Sequence, residues 1–476
     1  MNFARDVVDR AEAGRVGLVE LGRDGTRTEW TFGRLARESA ALAGRLSAIG
    51  VGRGDRVLTL IGNRPEWVLG MVACFRLGAV VVPCNEQLRA GDLRLRLEVV
   101  RPAAVLADER NADELAAAGP ACPVLWCDDP GLYSGPPAGA VELAATDPCL
   151  IVFTSGTSGE PKAVVHGQRY LVGQELQARR WLGARAGELV WCTAASGWSK
   201  SARNVFVAPW HCGARALVHD GRFEADERLA VAAAERVNVL CMAPTEYRLI
   251  AARSTLRRLP ALRGMVAAGE ALNPEVLRAW EEATGVAIRD GYGQTETGQL
   301  TAMPLDEPVR PGSMGRALPG VRLWIEHGEL VVDPLTVPTF FLHYVGEPPP
   351  DGPWRTGDRV TEDADGYLHF EGRTDDVIIS AGYRIGPFEV ESALVGHPAV
   401  AEAAVVAFPD SERGSIVRAV VVLRDGHRPS AGLRLALQEH VRSVTAPYKY
   451  PRIVDFVDAL PTTPSGKIRR AELRRG

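Results

Sequence analysis

The stretch Cys149-Leu-Ile-Val-Phe-Thr-Ser-Gly-Thr-Ser-Gly-Glu-Pro-Lys-Ala-Val-Val-His166 sets a loop of hydroxyls, glycines and one lysine between two apolar runs. Its composition suits phosphate. Glycines such as Gly156 and Gly159 let backbone amides approach phosphoryl oxygens, the hydroxyls of Thr154, Ser155, Thr157 and Ser158 add donors, and Lys162 supplies positive charge. A polar hairpin turn draws on the same residue types, so the loop alone leaves both readings open. A Walker loop places Gly directly before Lys-Ser/Thr. Here Pro161 precedes Lys162 and Ala163 follows it, so that reading fails.

Outward from the loop, the strand-like runs Val57–Ile61 and Ala79–Pro83 flank a helix-like Glu66–Leu77, with turn signals at Gly62, Asn63 and Pro65. This βαβ pattern predicts a parallel sheet covered by helices. A similar rhythm recurs through Glu188–Cys192, Val205–Leu217, Val237–Met242, Met265–Ala268 and Val286–Arg289, which predicts a second sheet-based subdomain. Beyond Pro304 the pieces become short, β-like and rich in Gly and Pro. The run Gly346–Pro353 cannot be a continuous helix because its prolines lack amide donors. From Asp375 a strand Val377–Ser380, a helix Phe388–Leu394, strands Ala403–Phe408 and Val417–Leu423, and a helix Leu433–Val441 predict a compact α+β unit. The boundary falls near Arg373–Asp376.

Composition narrows the function classes. With 476 residues and 46% hydrophobic content the chain can bury a large core, and its length predicts two or more domains. A net charge of -4 offers no basic excess for a nucleic-acid backbone, so small ligands are the expected partners. The longest apolar runs, Val68–Phe75 and Ala79–Pro83, fall well short of the roughly 20 residues of a membrane-spanning helix. Met1–Arg15 lacks the apolar core of a secretory signal, so the expected location is cytoplasmic. Eight cysteines are scattered without a CxxC pair, which predicts buried free thiols rather than a disulfide framework or zinc site.

Five segments together resemble the adenylate-forming superfamily of acyl-CoA synthetases, peptide-synthetase adenylation domains and beetle luciferases. After Thr154–Lys162 come Ala267-Ala-Gly-Glu-Ala271, Gly291-Tyr-Gly-Gln-Thr-Glu-Thr297, Trp354-Arg-Thr-Gly-Asp358 with Gly372-Arg-Thr-Asp-Asp376, and Pro464-Ser-Gly-Lys467, in the family's order. Singly, Tyr292 reads as a packed aromatic, and Glu296, Asp358 and Lys467 as solvated charges; jointly they do not. The resemblance implies an α/β fold with two parallel-sheet subdomains and a distorted β-barrel region in residues 1–374, and a small mobile α+β lid in residues 375–476, hinged at Asp375.

The resemblance also implies the roles. Thr154, Ser155, Gly156, Thr157, Ser158, Gly159 and Lys162 hold the β and γ phosphates of ATP, and Gly269, Glu270, Ala271, Asp290, Gly291 and Tyr292 take the adenine. Thr295 meets the α-phosphate, Glu296 binds Mg²⁺, Asp358 and Arg373 take the ribose, and Lys467 serves catalysis. One carboxylate suffices for Mg²⁺ when phosphates supply further oxygens.

Within the superfamily the resemblance is nearest to medium-chain acyl-CoA synthetases and benzoate-CoA ligases, carried by Ser196-Gly-Trp-Ser-Lys-Ser201, Arg289–Gly298, Ile379–Glu391 and Val444–Arg452. It implies an acid pocket lined by Trp198, Ser199, Lys200, Ala268, Gly293 and Gly298. Acetyl-CoA synthetases carry a bulky Trp where this chain has Gly293, so a medium-chain or aromatic acid is expected rather than acetate. CoA is the implied acceptor, met by Gly382, Tyr383, Arg384, Arg413 and Tyr450. Ala381 departs from the Ser or Gly of related enzymes. A carrier protein or an amine as acceptor, or a non-catalytic nucleotide-binding homologue, stays open at this point, and the oligomeric state is not encoded in any motif.

Overall fold

The apolar runs become two seven-stranded sheets. In this computed structural model the described residues are 1–154, 161–269, 274–374, 376–380, 383–410, 413–462 and 468–474, with the side chain of Arg384 also outside that set. In chain order the strands are β1 (Val16–Leu21), β2 (Arg27–Thr31), β3 (Arg56–Leu60), β4 (Val80–Cys84), β5 (Ala104–Ala107), β6 (Val124–Trp126) and β7 (Pro148–Phe153). They continue with β8 (Ala163–Gly167), β9 (Leu189–Cys192), β10 (Arg215–His219), β11 (Val239–Met242), β12 (Gly264–Ala268) and β13 (Ile288–Gly291). The first sheet runs β8-β7-β4-β3-β5-β6 with the short strand His343–Tyr344 beyond β8; the second runs β13-β12-β11-β9-β10-β1-β2. Most neighbours are parallel; β7 with β8 and β1 with β2 are antiparallel.

The central strands of both sheets are buried on two faces, which is why they read as predominantly apolar runs, whereas the edge strand β2 (Arg27–Thr31) is mostly polar and partly exposed. Val57 of β3 and Val190 and Cys192 of β9 join one central core between the sheets, whereas Leu58 and Leu60 face an outer core on the first sheet and Leu189 and Trp191 another on the second. The helix Pro65–Leu77 lies in that central layer and is buried nearly all round, as a helix apolar on every face must be. Pro65 starts it and Gly78, at φ 71°, ends it in the left-handed region.

Val205–Leu217 does not form one element. It divides into helical turns at Arg203–Val207 and Ala208–His211 followed by β10, because Pro209 starts a helix and Gly213, at φ 71°, turns the chain out of it.

Past β13 the expected distorted barrel region is a four-stranded antiparallel sheet, Leu323–Glu326, Glu329–Val332, Trp354–Glu362 and Leu368–Arg373, with small ladders Gly293–Gln294/Gly298–Gln299 and Thr301–Ala302/Arg316–Ala317 beside it. Among the described residues it does not close. Register irregularities near Leu330 and Arg359 twist it while its first and last strands stay at opposite edges. Gly346–Pro353 is irregular, as its prolines require.

The C-terminal part has its own apolar cluster, from Ile378 to Val454. Strands Val400–Asp410, Gly414–Leu423 and Ile453–Phe456 pack there against helices Pro387–Val395 and Ala431–Val444. Six of the eight cysteines are buried and Cys122 and Cys212 are half-buried, all as free thiols; burial pushes the Cys74 and Cys84 thiols up to about 12. Among the described residues no helix is long and apolar enough to cross a membrane.

Candidate active site

β9 has β10 on one side and β11 on the other, so the second sheet changes winding direction between β9 and β11, the place where open α/β sheets form a crevice at their strand ends. The loop leaving β9 carries Trp198, Ser199 and Lys200, all half-buried. It is fastened to the first sheet: the Ser196 amide donates to Asn63 Oδ1 at 2.9 Å, and a Cβ on Gly197, at φ 91°, would lie 2.3 Å from the Asn85 amide nitrogen. The strand ends of both sheets therefore share this crevice.

Across it, β12 and β13 place Ala268 opposite Gly291 and Ala267 opposite Asp290, so two segments distant in sequence end side by side. Lys200 Nζ donates to the Ala268 carbonyl at 2.7 Å, which brings β9, β12 and β13 to one locus. Burial pushes the Asp290 carboxyl up to about 8, against the pull of the Gly291 amide and the Lys200 ammonium. Gly269, at φ 103°, turns the chain just past the strand end; Glu270 and Ala271 lie outside the described residues.

The Gly293–Gln294/Gly298–Gln299 ladder carries Thr295 and Glu296 in its turn. A Cβ on Gly293 would sit 1.8 Å from the Gly298 carbonyl oxygen, so glycine at 293 is what lets the ladder close. Its small size answers to that backbone, a reason distinct from room for a long acid. The turn is pinned from behind, where the Phe341 amide donates to the Glu296 carbonyl at 2.8 Å and Thr339 Oγ1 donates to the Thr297 carbonyl at 2.5 Å. His166 lies buried beneath it. Its imidazole is pushed down to about 3 by burial and then by Arg203; the Thr295 and Thr339 backbone pulls the other way without reaching full hydrogen-bond geometry.

Asp358 is the most heavily engaged of the expected residues. It is buried in the strand Trp354–Glu362 and accepts from Tyr292 Oη, from Gln294 Nε2 at 2.8 Å and from Arg373 Nη1 at 3.1 Å. Trp354 Nε1 in turn donates to Gln294 Oε1 at 3.0 Å. Burial, then the Asp358 charge, holds the Tyr292 phenol well above its usual range. Gln294 and Trp354 thus fix the orientation of the ribose candidate, although neither was assigned a role from sequence; both sit inside the motifs that flag their neighbours.

The neck of the candidate phosphate loop is closed between β7 and β8 by the Thr154 amide donating to the Lys162 carbonyl at 2.9 Å. Ser155, Gly156, Thr157, Ser158 and Gly159 lie outside the described residues, as do Asp375, Gly382 and Lys467. Lys162 reaches over the Tyr344 ring, 4.5 Å from its centroid, and pairs with Glu347 at 3.7 Å. Tyr344 Oη donates to Glu296 Oε1 at 2.9 Å. Neither Tyr344 nor Glu347 carries a sequence signal. Among the described residues no group of three or more acidic, His or Cys side chains forms a metal cage, while Glu296 offers one half-buried carboxylate. That donor set fits Mg²⁺ held chiefly by nucleotide oxygens.

Of the expected CoA contacts, Tyr383 stacks on Tyr448 with ring centroids 4.4 Å apart, and Tyr450 lies under Arg442 at 3.8 Å. The Arg413 amide donates to Asp410 Oδ1 at 2.8 Å.

Two family models match this chain: AMP-binding enzyme over residues 6–334, and AMP-binding enzyme C-terminal domain over residues 389–467. The chain is 38% identical to an uncharacterized acyl–CoA ligase of Bacillus subtilis, covering 100% of this chain and 96% of that protein. It is likewise 38% identical to the mitochondrial acyl-coenzyme A synthetase ACSM4 of Homo sapiens, covering 99% and 90%. Among solved structures, a benzoate CoA ligase from Burkholderia xenovorans superposes with a TM-score of 0.90 at 27% identity, covering 100% of both chains. The chain therefore belongs to the AMP-binding enzyme family and, within it, to the acyl-CoA synthetases.

Proposed function

We propose that the enzyme adenylates a medium-chain or aromatic carboxylic acid with ATP and passes the acyl group to the thiol of CoA. The observation that carries this is the convergence of Tyr292, Gln294 and Arg373 on Asp358, in one locus with Thr295 and Glu296. A buried carboxylate so oriented presents acceptor oxygens suited to ribose hydroxyls, beside the aromatic Tyr292 suited to adenine.

Attack of a carboxylate on the α-phosphorus forms the acyl–phosphate bond and breaks the bond to pyrophosphate, which leaves. Two anions must meet, so positive charge is needed where repulsion is greatest. Lys467 and Lys162 are the protein's own cations for this, and Thr295 donates to the α-phosphoryl oxygens. Glu296, together with the nucleotide phosphates, would hold Mg²⁺, which would supply further charge neutralisation. In the second half-reaction the thiol attacks the acyl carbon and AMP departs. We assign Trp198, Ser199, Lys200, Ala268 and Gly298 to the acid and Tyr383, Arg384, Arg413 and Tyr450 to CoA. A main body of residues 1–374 and a lid of residues 375–476, turning at Asp375, separate the two half-reactions. Eight cysteines without a disulfide support a reducing, cytoplasmic setting.

The test is an acid panel with purified enzyme, ATP and Mg²⁺, measuring AMP and thioester with and without CoA. AMP release that needs CoA and yields a thioester is expected for medium-chain or aromatic acids. Adenylation without thioester for every activated acid would move the acceptor to a carrier-protein thiol or an amine.

A further inference from the structure

The two-residue strand His343–Tyr344 pairs antiparallel with β8 at the edge of the first sheet, with Tyr344 opposite Val164, two residues past Lys162. This register sets the Tyr344 side chain between two opposite charges. Its hydroxyl donates to Glu296 Oε1 at 2.9 Å, while its ring face carries Lys162 Nζ 4.5 Å from the centroid. Packing of its ring on Phe341, centroids 4.9 Å apart, holds it there. Lys162 pairs with Glu347 at 3.7 Å, and the Glu347 amide donates to the Tyr344 carbonyl at 3.0 Å, so one turn presents both groups.

A lysine meant for phosphate and a carboxylate meant for a cation attract one another when no nucleotide separates them. Direct pairing would close the site and force ATP to break it. Among the described residues Lys162 pairs with Glu347 and not with Glu296. The tyrosine is chemically suited to prevent the collapse, since its polar end satisfies the anion and its π face satisfies the cation.

We propose that Tyr344 is a positioning residue that keeps Lys162 and Glu296 apart and aimed for MgATP, and that Glu347 holds Lys162 until the triphosphate replaces it. The proposal rests on the adenylation reading above. Tyr344 acts through Glu296 and Lys162 and takes no proton in the reaction.

The experiment compares wild type, Tyr344→Phe and Glu347→Gln in ATP–pyrophosphate exchange with an accepted acid, titrating Mg²⁺ and ATP, and in thioester formation from supplied acyl-AMP, with melting temperatures for all three. Tyr344→Phe keeps the ring and loses the bond to Glu296; the expected result is an apparent KM for Mg²⁺ raised about 10-fold, the worth of a hydrogen bond to a charged group. Thioester formation from acyl-AMP should be unchanged. Glu347→Gln releases Lys162 and should lower the KM for ATP by about 3-fold, the scale of one exposed ion pair. Unchanged Mg²⁺ dependence in Tyr344→Phe, or equal loss in both half-reactions, overturns the positioning role. If Tyr344→Phe does not fold, an unchanged KM for ATP in Glu347→Gln overturns the proposal by itself. Absence of exchange in the wild type with every acid would instead sink the adenylation reading.

Discussion

Asp358 and Arg373 are directly opposed register partners on the antiparallel strands Trp354–Glu362 and Leu368–Arg373, with Arg373 Nη1 3.1 Å from Asp358 Oδ1. Arg373 ends its strand, two residues before the proposed hinge at Asp375. The pair of Asp358, the ribose candidate, with Arg373 therefore stands at the end of the proposed main body, just before the proposed hinge.

Replacing Asp358 by Ala should raise the KM for ATP by about 10- to 100-fold, since it removes the acceptors for the sugar. It also leaves Arg373 and Tyr292 without their shared acceptor, so stability should fall by about 2–3 kcal/mol. Exchange kinetics and denaturant melts measure the two effects separately. An unaltered KM for ATP would remove Asp358 from the nucleotide site.

Lys467→Ala should depress ATP–pyrophosphate exchange by about 100-fold or more, as removal of a charge aimed at the transition state does. Thioester formation from supplied acyl-AMP should be largely spared. Equal loss in both half-reactions would contradict alternation of the lid.

At Gly293 the nearest atom to an added Cβ is the Gly298 carbonyl oxygen at 1.8 Å. Gly293→Ala should therefore force the ladder apart, costing about 1–3 kcal/mol, and lower exchange with every acid alike. A shift in acid preference at unchanged stability would instead make this glycine a selector of chain length.

His166 gives a pH signature. Its native value of about 3 lies below its ordinary 6.5, because burial and Arg203 oppose the charged ring. The stability it contributes is fully present above pH 6.5 and is lost as pH falls toward 3, where only the unfolded chain takes the proton. His166→Asn should flatten the acid limb of a melting-temperature series, with a slope difference of up to about 1.4 kcal/mol per pH unit. Parallel acid limbs for variant and wild type would assign the acid loss elsewhere.

Much of the architecture was legible because its causes are local. Val57, Leu58 and Leu60 belong to a strand buried on both faces, whose only interior polar residue is the small, β-branched Thr59; Pro65 and Gly78 bracket their helix by φ preference alone. The break inside Val205–Leu217 was less legible, since a short apolar run suits buried helix and buried strand alike.

The nucleotide motifs, too, announce themselves in sequence, because glycines, hydroxyls and charges at set spacings answer to backbone geometry within a few residues. They determined the family, the order of the site and the identity of Glu296, Asp358 and Lys467 as candidates. Tertiary structure alone decided which groups hold those candidates in place. Gln294 reaches Asp358 across 64 positions of chain and Tyr344 reaches Glu296 across 48. Strand register and sheet order set those meetings, and neither leaves a mark in the local pattern. Gly293 shows the same division: its identity was plain from the start, but its reason, the carbonyl of Gly298, exists only once the ladder has closed.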